Sequence, residues 1–187
     1  MLPRHPPRVA ANEPRNLPGV PALIRDADAS DLPAIVDVLN VALATTTVYS
    51  ERPYTLADRT AWLAARRDRG FPVLVAEVDD EFAGFGSYGD FRDSIALPCY
   101  VTTVEHSVYV VDRFGGQGVG RSLVEALVEH ARGRGVHAMV GAVDAENEVS
   151  LSFHAQLGFV EVGRMPEIAR KWDRWLELVL VQRLLDD

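Results

Sequence analysis

Glu105 sits in the β-branched run Thr103-Val104-Glu105-His106-Ser107-Val108-Tyr109-Val110, shortly before the glycine-dense stretch Phe114-Gly115-Gly116-Gln117-Gly118-Val119-Gly120-Arg121. A carboxylate at a partly desolvated strand position has its pKa raised toward neutral pH, which suits it to take up a proton directly or through water. The glycine stretch suits a different task, holding an anion. Gly116, Gly118 and Gly120 free the backbone and let a ligand approach it, and the first N–H groups of a following helix then point at that ligand. A pyrophosphate fits such a turn. His154 has Leu151 and Leu157 three residues to either side; read alone, it is a histidine on an apolar stripe, although imidazole is also the side chain that gains and loses protons near neutral pH.

These residues need a strand, a turn and two helices to hold them. Strand alternation puts Glu105, Ser107 and Tyr109 on one face and His106, Val108 and Val110 on the other. After the turn, Leu123, Leu127 and Ala131, with Val124 and Val128 beside them, give a helix a face for packing on a sheet. Ala138 to Val143 reads as the next strand, parallel to the Glu105 strand because a helix forms the crossover. Asn147 caps the helix carrying His154, and Gly158 ends it. Upstream, a short strand at Leu23-Ile24-Arg25 precedes a helix that Ser30 is expected to cap, with Leu32, Ile35, Leu39 and Leu43 as its core stripe. Thr55-Leu56-Ala57-Asp58 resembles a capping box and opens a second helix that carries Trp62 and ends at Gly70. Phe71 to Val78 and Phe82 to Tyr88 read as a hairpin around Asp79-Asp80-Glu81.

Other uses of a glycine turn fit less well. No lysine stands in the loop where a Walker sequence requires one, and the turn lies past mid-chain rather than in an opening βαβ unit. The chain has 187 residues with 48% hydrophobic content, enough for one sizeable core. A formal net charge of −8 without any basic block argues against a nucleic-acid surface. Cys99 is the only cysteine and Lys171 the only lysine, so no intramolecular disulfide forms and a reducing compartment is expected. Residues 1–21 carry Pro3, Pro6, Pro7, Pro14, Pro18 and Pro21 and read as a mobile leader ahead of one domain over 22–187. Neither a signal-type apolar stretch nor a membrane-length apolar run is expected, which points to a cytoplasmic protein with no membrane partner.

With these features assembled, the chain resembles the GNAT superfamily of N-acetyltransferases and, within it, the phosphinothricin and methionine sulfoximine acetyltransferases. The resemblance runs from about Ile24 to about Gln182. It rests on Ile24-Arg25-Asp26-Ala27, Phe71 to Glu77, Gly86 to Arg92, Thr103 to Val110, the glycine turn, His154-Ala155-Gln156-Leu157-Gly158-Phe159 and Lys171-Trp172-Asp173-Arg174-Trp175. It implies an α/β (α+β) fold of the GNAT type: a mixed central sheet flanked by helices, with two parallel strands splayed at the acetyl-CoA site.

The resemblance also implies roles. Ser107, Val108 and Tyr109 contact the acetyl and pantetheine portion of acetyl-CoA. Gly115, Gly116, Gln117, Gly118, Val119 and Gly120 hold its pyrophosphate, and Asn147 touches the cofactor. Glu105 is the candidate base. His154 protonates the departing thiolate or helps deprotonate the amine, and a main-chain N–H near Val108 stabilises the oxyanion. Phe91, Arg92, Glu105 and His106 face the acceptor, with Arg92 suited to a planar carboxylate; Thr45 to Tyr49 is a candidate wall of the same pocket. No metal is implied, because His106 and His137 lack ligand spacing. Two departures stand out: Gly115 replaces the usual arginine or glutamine, and Glu177 the usual aspartate. The segment from Asp93 to Thr102, with Pro98, is longer than in relatives. Trp172 and Trp175 are expected to pack, in a loop feeding a last strand. The implied reaction is acetyl transfer from acetyl-CoA, by direct attack, to the α-amine of a small amino-acid-like acceptor, with methionine sulfoximine, phosphinothricin and ordinary amino acids as the candidate acceptors, in a family whose members are commonly homodimers. Acetylation of a peptide amine and acyl-CoA binding without turnover are the alternatives.

Overall fold

The computed structural model describes residues 21–185. The leader expected over 1–21 therefore falls, apart from Pro21, outside the described residues. One seven-stranded sheet organises the rest, in the order β1-β2-β3-β4-β5-β7-β6. Its strands are β1 (Leu23–Asp26), β2 (Val73–Val78), β3 (Glu81–Asp90), β4 (Thr103–Val110), β5 (Ala138–Asp144), β6 (Val160–Lys171) and β7 (Arg174–Leu184). Four helices flank it: α1 (Leu32–Leu43), α2 (Leu56–Asp68), α3 (Val119–Gly133) and α4 (Glu148–Gln156). All neighbouring strands run antiparallel except β4 and β5, which α3 joins as a parallel pair. Among the described residues no helix is long and apolar enough to cross a membrane.

Each face of the sheet has its own core. On one, Leu32, Ile35 and Leu39 of α1 and Leu63 of α2 bury against Val73, Val75 and Phe85. On the other, Leu123, Val124 and Leu127 of α3 meet Val104, Met139 and Val179, with Leu157 and Phe159 completing the cluster after α4. The apolar spacing of α1 and α3 therefore produces two separate layers.

Three local expectations are corrected. Asp28, and not Ser30, begins the first helical segment: its side chain accepts the Ser30 N–H while Asp31 reaches back to the Asp28 N–H, closing a capping box on a 3₁₀ turn that runs into α1. Strand β2 starts at Val73, because the Phe71 N–H is committed to the Arg66 carbonyl at the end of α2. Trp172 and Trp175 do not pack inward; they are 50% and 58% exposed. Trp172 and Asp173 form a two-residue hairpin turn with φ of 50° and 60°, and alternation from buried Leu176 sends Trp175 outward. The Thr55–Asp58 capping box forms as its spacing requires.

Candidate active site

Strands β4 and β5 pair only from Thr103↔Ala138 to His106↔Gly141, although β4 continues to Val110 and β5 to Asp144. Beyond that point the two strands are splayed. The Val111 N–H bonds to Ala83 and the Phe91 N–H to Thr103, so odd-numbered positions of β4 direct their main-chain groups to β3. The even positions face the other way, and alternation leaves the main chain of Val108 and Val110 opening on the gap. A cleft there is lined by Thr47, His106, Ser107, Val108, Asn147 and His154, among others. Unpaired strand groups beside it offer what an extended amide-bearing chain would bond to.

The glycine turn closes one end of this region. Gly116 and Gly118 have φ of 70° and 89°, a backbone that other residues adopt at a cost, and Gly118 is the N-cap of α3. Gly120 serves another purpose than conformational freedom: a Cβ there would lie 3.3 Å from the Phe153 ring. The first accepted N–H of α3 is that of Ser122, bonded to Gly118, so the amides just before it have no intrahelical acceptor. Gln117 donates its amide to the Arg113 carbonyl, which braces the turn. Gly115 has φ −59°, compatible with any L-residue.

Glu105 occupies the α1/α2 face of the sheet, half-buried, with Gly89 of β3 as its register partner. Burial pushes its carboxyl pKa up, and Arg66 and Arg92 pull it down. Ser107 and Tyr109 share that face; Tyr109 stacks on Phe85, with ring centres 5.3 Å apart, and burial raises its phenol to about 12. Phe91 is tied to β4 through the Thr103 carbonyl, and the exposed Arg92 lies over its ring at 5.3 Å. Arg66 was not anticipated. It lies four residues after Trp62 on α2, and an arginine on the same helical face as a core aromatic was the available signal.

His154 occupies the opposite face. Its Nδ1–H donates to the Ser150 carbonyl at 2.7 Å, leaving Nε2 as the nitrogen free to exchange a proton. Burial lowers its pKa. His106 lies beside it, ring centres 5.1 Å apart, and both Nε2 atoms converge over Gly141, where a Cβ would come within 3.2 and 3.3 Å of them. Neither ring nitrogen of His106 has a hydrogen-bond partner, and burial holds its pKa down to about 3. The structure thus groups Glu105, Phe91 and Arg92 on one face and places His106 with His154 on the other; of these, His106 and His154 line the cleft between the splayed strands, while Glu105 stands one residue before it in the paired part of β4.

Asn147 does two things. Its Oδ1 accepts the Ser150 N–H to cap α4, and its Nδ2 reaches Thr47 at 3.4 Å, so the loop containing Thr45 to Tyr49 enters the cleft through Thr47. Asp144, which sequence reasoning missed, lines the same cleft; its Oδ1 accepts the Glu146 N–H, while the buried Oδ2 has no partner. Lys171 is structural. Its buried ammonium donates to the carbonyls of Leu43, Thr45 and Val48 at 2.6–2.7 Å, stapling the end of α1 to the following loop. Glu177 pairs with Arg164 instead of Lys171 or Arg174. Among the described residues no group of three or more metal-ligating side chains forms.

Comparison with known proteins agrees with this geometry. A sequence model described as the acetyltransferase (GNAT) family matches residues 35–159. An L-methionine sulfoximine/L-methionine sulfone acetyltransferase of Pseudomonas paraeruginosa is 44% identical over 167 residues, covering 88% of this chain and 95% of the relative. An L-amino acid N-acyltransferase of Escherichia coli is 39% identical over 165 residues, covering 88% and 94%. Among solved structures, a Salmonella typhimurium acetyltransferase crystallised with its cofactor acetyl-CoA superposes with a TM-score of 0.83 at 38% identity, covering 89% of this chain and 95% of that one. With the parallel strands splayed, the glycine turn beside them and these relatives matched over most of its length, the chain belongs to the GNAT family of acetyltransferases.

Proposed function

We propose that this protein transfers the acetyl group of acetyl-CoA to the α-amine of a small amino-acid-like acceptor. The observation that carries the reading is the end of β4–β5 pairing at His106↔Gly141, which opens a cleft lined by the His154 imidazole and by Ser107 and Val108, with the Glu105 carboxylate one residue before the opening on the other face of β4. Acetyl-CoA supplies an activated thioester. Its extended arm suits the open main chain near Val108, and its phosphates suit the amides of the Gly115–Gly120 turn. Residues that would touch it are Ser107, Val108, Tyr109 and Asn147.

Glu105 takes a proton from the acceptor ammonium, so that the amine attacks directly; no nucleophilic side chain is required. The Val108 N–H donates to the oxygen on which negative charge develops. The second proton, on the nitrogen after it has attacked, passes to the bare Nε2 of neutral His154, which gives it to the departing thiolate as the C–S bond breaks. Phe91 and Arg92 complete the acceptor side of this reading, with Arg92 pairing with the acceptor carboxylate, whereas His106, expected beside them, is buried on the other face against His154. The relatives named for methionine sulfoximine and for L-amino acids support this acceptor class. The protein works in the cytoplasm, where acetyl-CoA is made, as a homodimer whose contact includes the exposed Ile168, Trp172 and Trp175 of the β6–β7 hairpin.

The test is release of coenzyme A with methionine sulfoximine, phosphinothricin, ordinary amino acids, polyamines and short peptides as acceptors. Turnover confined to free amino-acid-like amines is expected. Turnover only with peptides would move the assignment to protein acetylation, and acetyl-CoA binding without turnover on any acceptor would leave a binding module.

A further inference from the structure

Arg66 is a half-buried cation set between α2 and the backbone of β3. Its Nη1 donates to the Tyr88 carbonyl at 3.0 Å, and its guanidinium lies on the backbone of Gly89 so closely that a Cβ there would sit 1.4 Å from Nη1. Trp62 and Phe71 flank its Cζ at 5.8 and 5.7 Å. Such a site fixes the planar group in one orientation and removes much of its hydration, a cost that calls for a compensating anion. The neighbouring carboxylate of Asp90 is already held by Arg69 and by the Ser94 hydroxyl. Glu105 is the carboxylate left over: it stands across the β3–β4 ladder from Gly89, the residue on which the guanidinium rests.

We propose that Arg66, seated on Gly89, is the positioning residue that orients the Glu105 carboxylate toward the gap and balances its charge. This role rests on the reading of Glu105 as the base. Arg66 and Glu105 attract one another across the ladder. The charged groups around them are few. Strand β3 contributes Asp90; α2 contributes Arg59 and Arg69 besides Arg66; the following loop contributes the exposed Arg92. Strand β5 offers Val140 opposite Glu105, and the only charged residue of α1 is the exposed Asp37. Arg59 stacks on Tyr54 and Trp62 at 4.6 and 5.1 Å and Arg69 is paired with Asp90, whereas Arg66 rests on Gly89, the register partner of Glu105, and Arg92 is carried on an exposed loop. Gly89 follows from the same arrangement, because any side chain there would evict the guanidinium.

The test uses Arg66→Met, Arg66→Lys and Gly89→Ala, each checked for native circular dichroism. Two readouts are taken: the acid limb of kcat/KM against pH, and the titration of the Glu105 carboxyl followed by carbon-13 NMR without substrate. In R66M and G89A both midpoints are expected to rise by about one pH unit, the low end for loss of a nearby opposite charge. Below the limb, kcat/KM then falls about tenfold, whereas above it the variants approach the parent. R66K, which keeps the charge, restores most of the shift. Unmoved midpoints in both R66M and G89A would overturn the proposal. Should no acceptor be turned over, the NMR titration still decides: a raised Glu105 midpoint supports the pairing while rejecting the catalytic reading, and an unmoved one rejects the pairing. If R66M fails to fold, G89A and R66K carry the same comparison.

Discussion

At the scale of single residues, the two groups proposed to move protons are tuned by opposite consequences of burial. Burial raises the pKa of Glu105, which makes its carboxylate a stronger base, and lowers that of His154, which keeps its ring neutral with Nε2 able to receive a proton and pass it on. Glu105→Gln is expected to lower kcat by about 10²- to 10⁴-fold, the usual worth of a positioned base, while acetyl-CoA affinity measured by calorimetry stays unchanged. The same variant makes a stability prediction. Because the folded pKa of Glu105 lies above the unfolded one, native stability is lost as pH rises through that interval; at pH 7 the amide escapes the loss. Thermal unfolding should therefore show E105Q at least as stable as the parent. The strand alternation that put Glu105, Ser107 and Tyr109 on one face was legible in the sequence, because a period of two leaves no choice once β4 is recognised. Arg66 was not, since its importance depends on α2 crossing above Gly89.

At the scale of elements, the turn and the β6–β7 hairpin show how local chemistry becomes geometry. Gly116 and Gly118 need positive φ, but Gly115 does not. A Cβ at 115 would lie 3.0 Å from the Asp112 carbonyl oxygen, so that crowding offsets the gain of about 0.4–1 kcal/mol from a stiffer unfolded chain and Gly115→Arg should leave stability little changed. The same variant should tighten acetyl-CoA binding in a salt-sensitive manner, which calorimetry at two ionic strengths would show. No gain at either ionic strength would mean that a side chain at 115 does not reach the phosphates. Lys171 closes the end of α1 from a strand more than a hundred residues away. Lys171→Met would leave three carbonyls without their donor and is expected to cost about 3 kcal/mol in denaturant unfolding. The lysine was visible as the only one in the chain; its three acceptors were not, because they come together only when β6 passes the loop after α1.

For the whole molecule, the sheet separates Glu105, Phe91 and Arg92 from the paired imidazoles, and burying His106 links the site to global stability. Its folded pKa is about 3, against about 6.5 in an unfolded chain. Below about pH 6.5 the unfolded state takes up a proton that the native state refuses, so stability falls progressively from there toward pH 3. His106→Phe removes that proton uptake and should flatten the acid side of a stability-against-pH curve, while filling a site already walled by Phe159 and His154. An equally steep acid loss in H106F would place the sensitivity elsewhere.

The sequence by itself determined most of the elements and their order, β6 excepted: the α3 stripe, the β4 alternation, the Thr55 capping box and the glycine turn are short-range patterns whose physics acts within a few residues. It also carried enough motif to indicate the family and to nominate Glu105, His154 and Asn147. Only the tertiary structure decided that β4 and β5 part after His106, that Glu105 and His154 lie on opposite faces, and that His106 crowds Gly141 beside His154. Arg66 over Gly89 and Lys171 under the end of α1 belong to the same class. Those facts depend on contacts between segments distant in the chain, and no local propensity encodes which side chain a neighbouring layer will bring against a given strand.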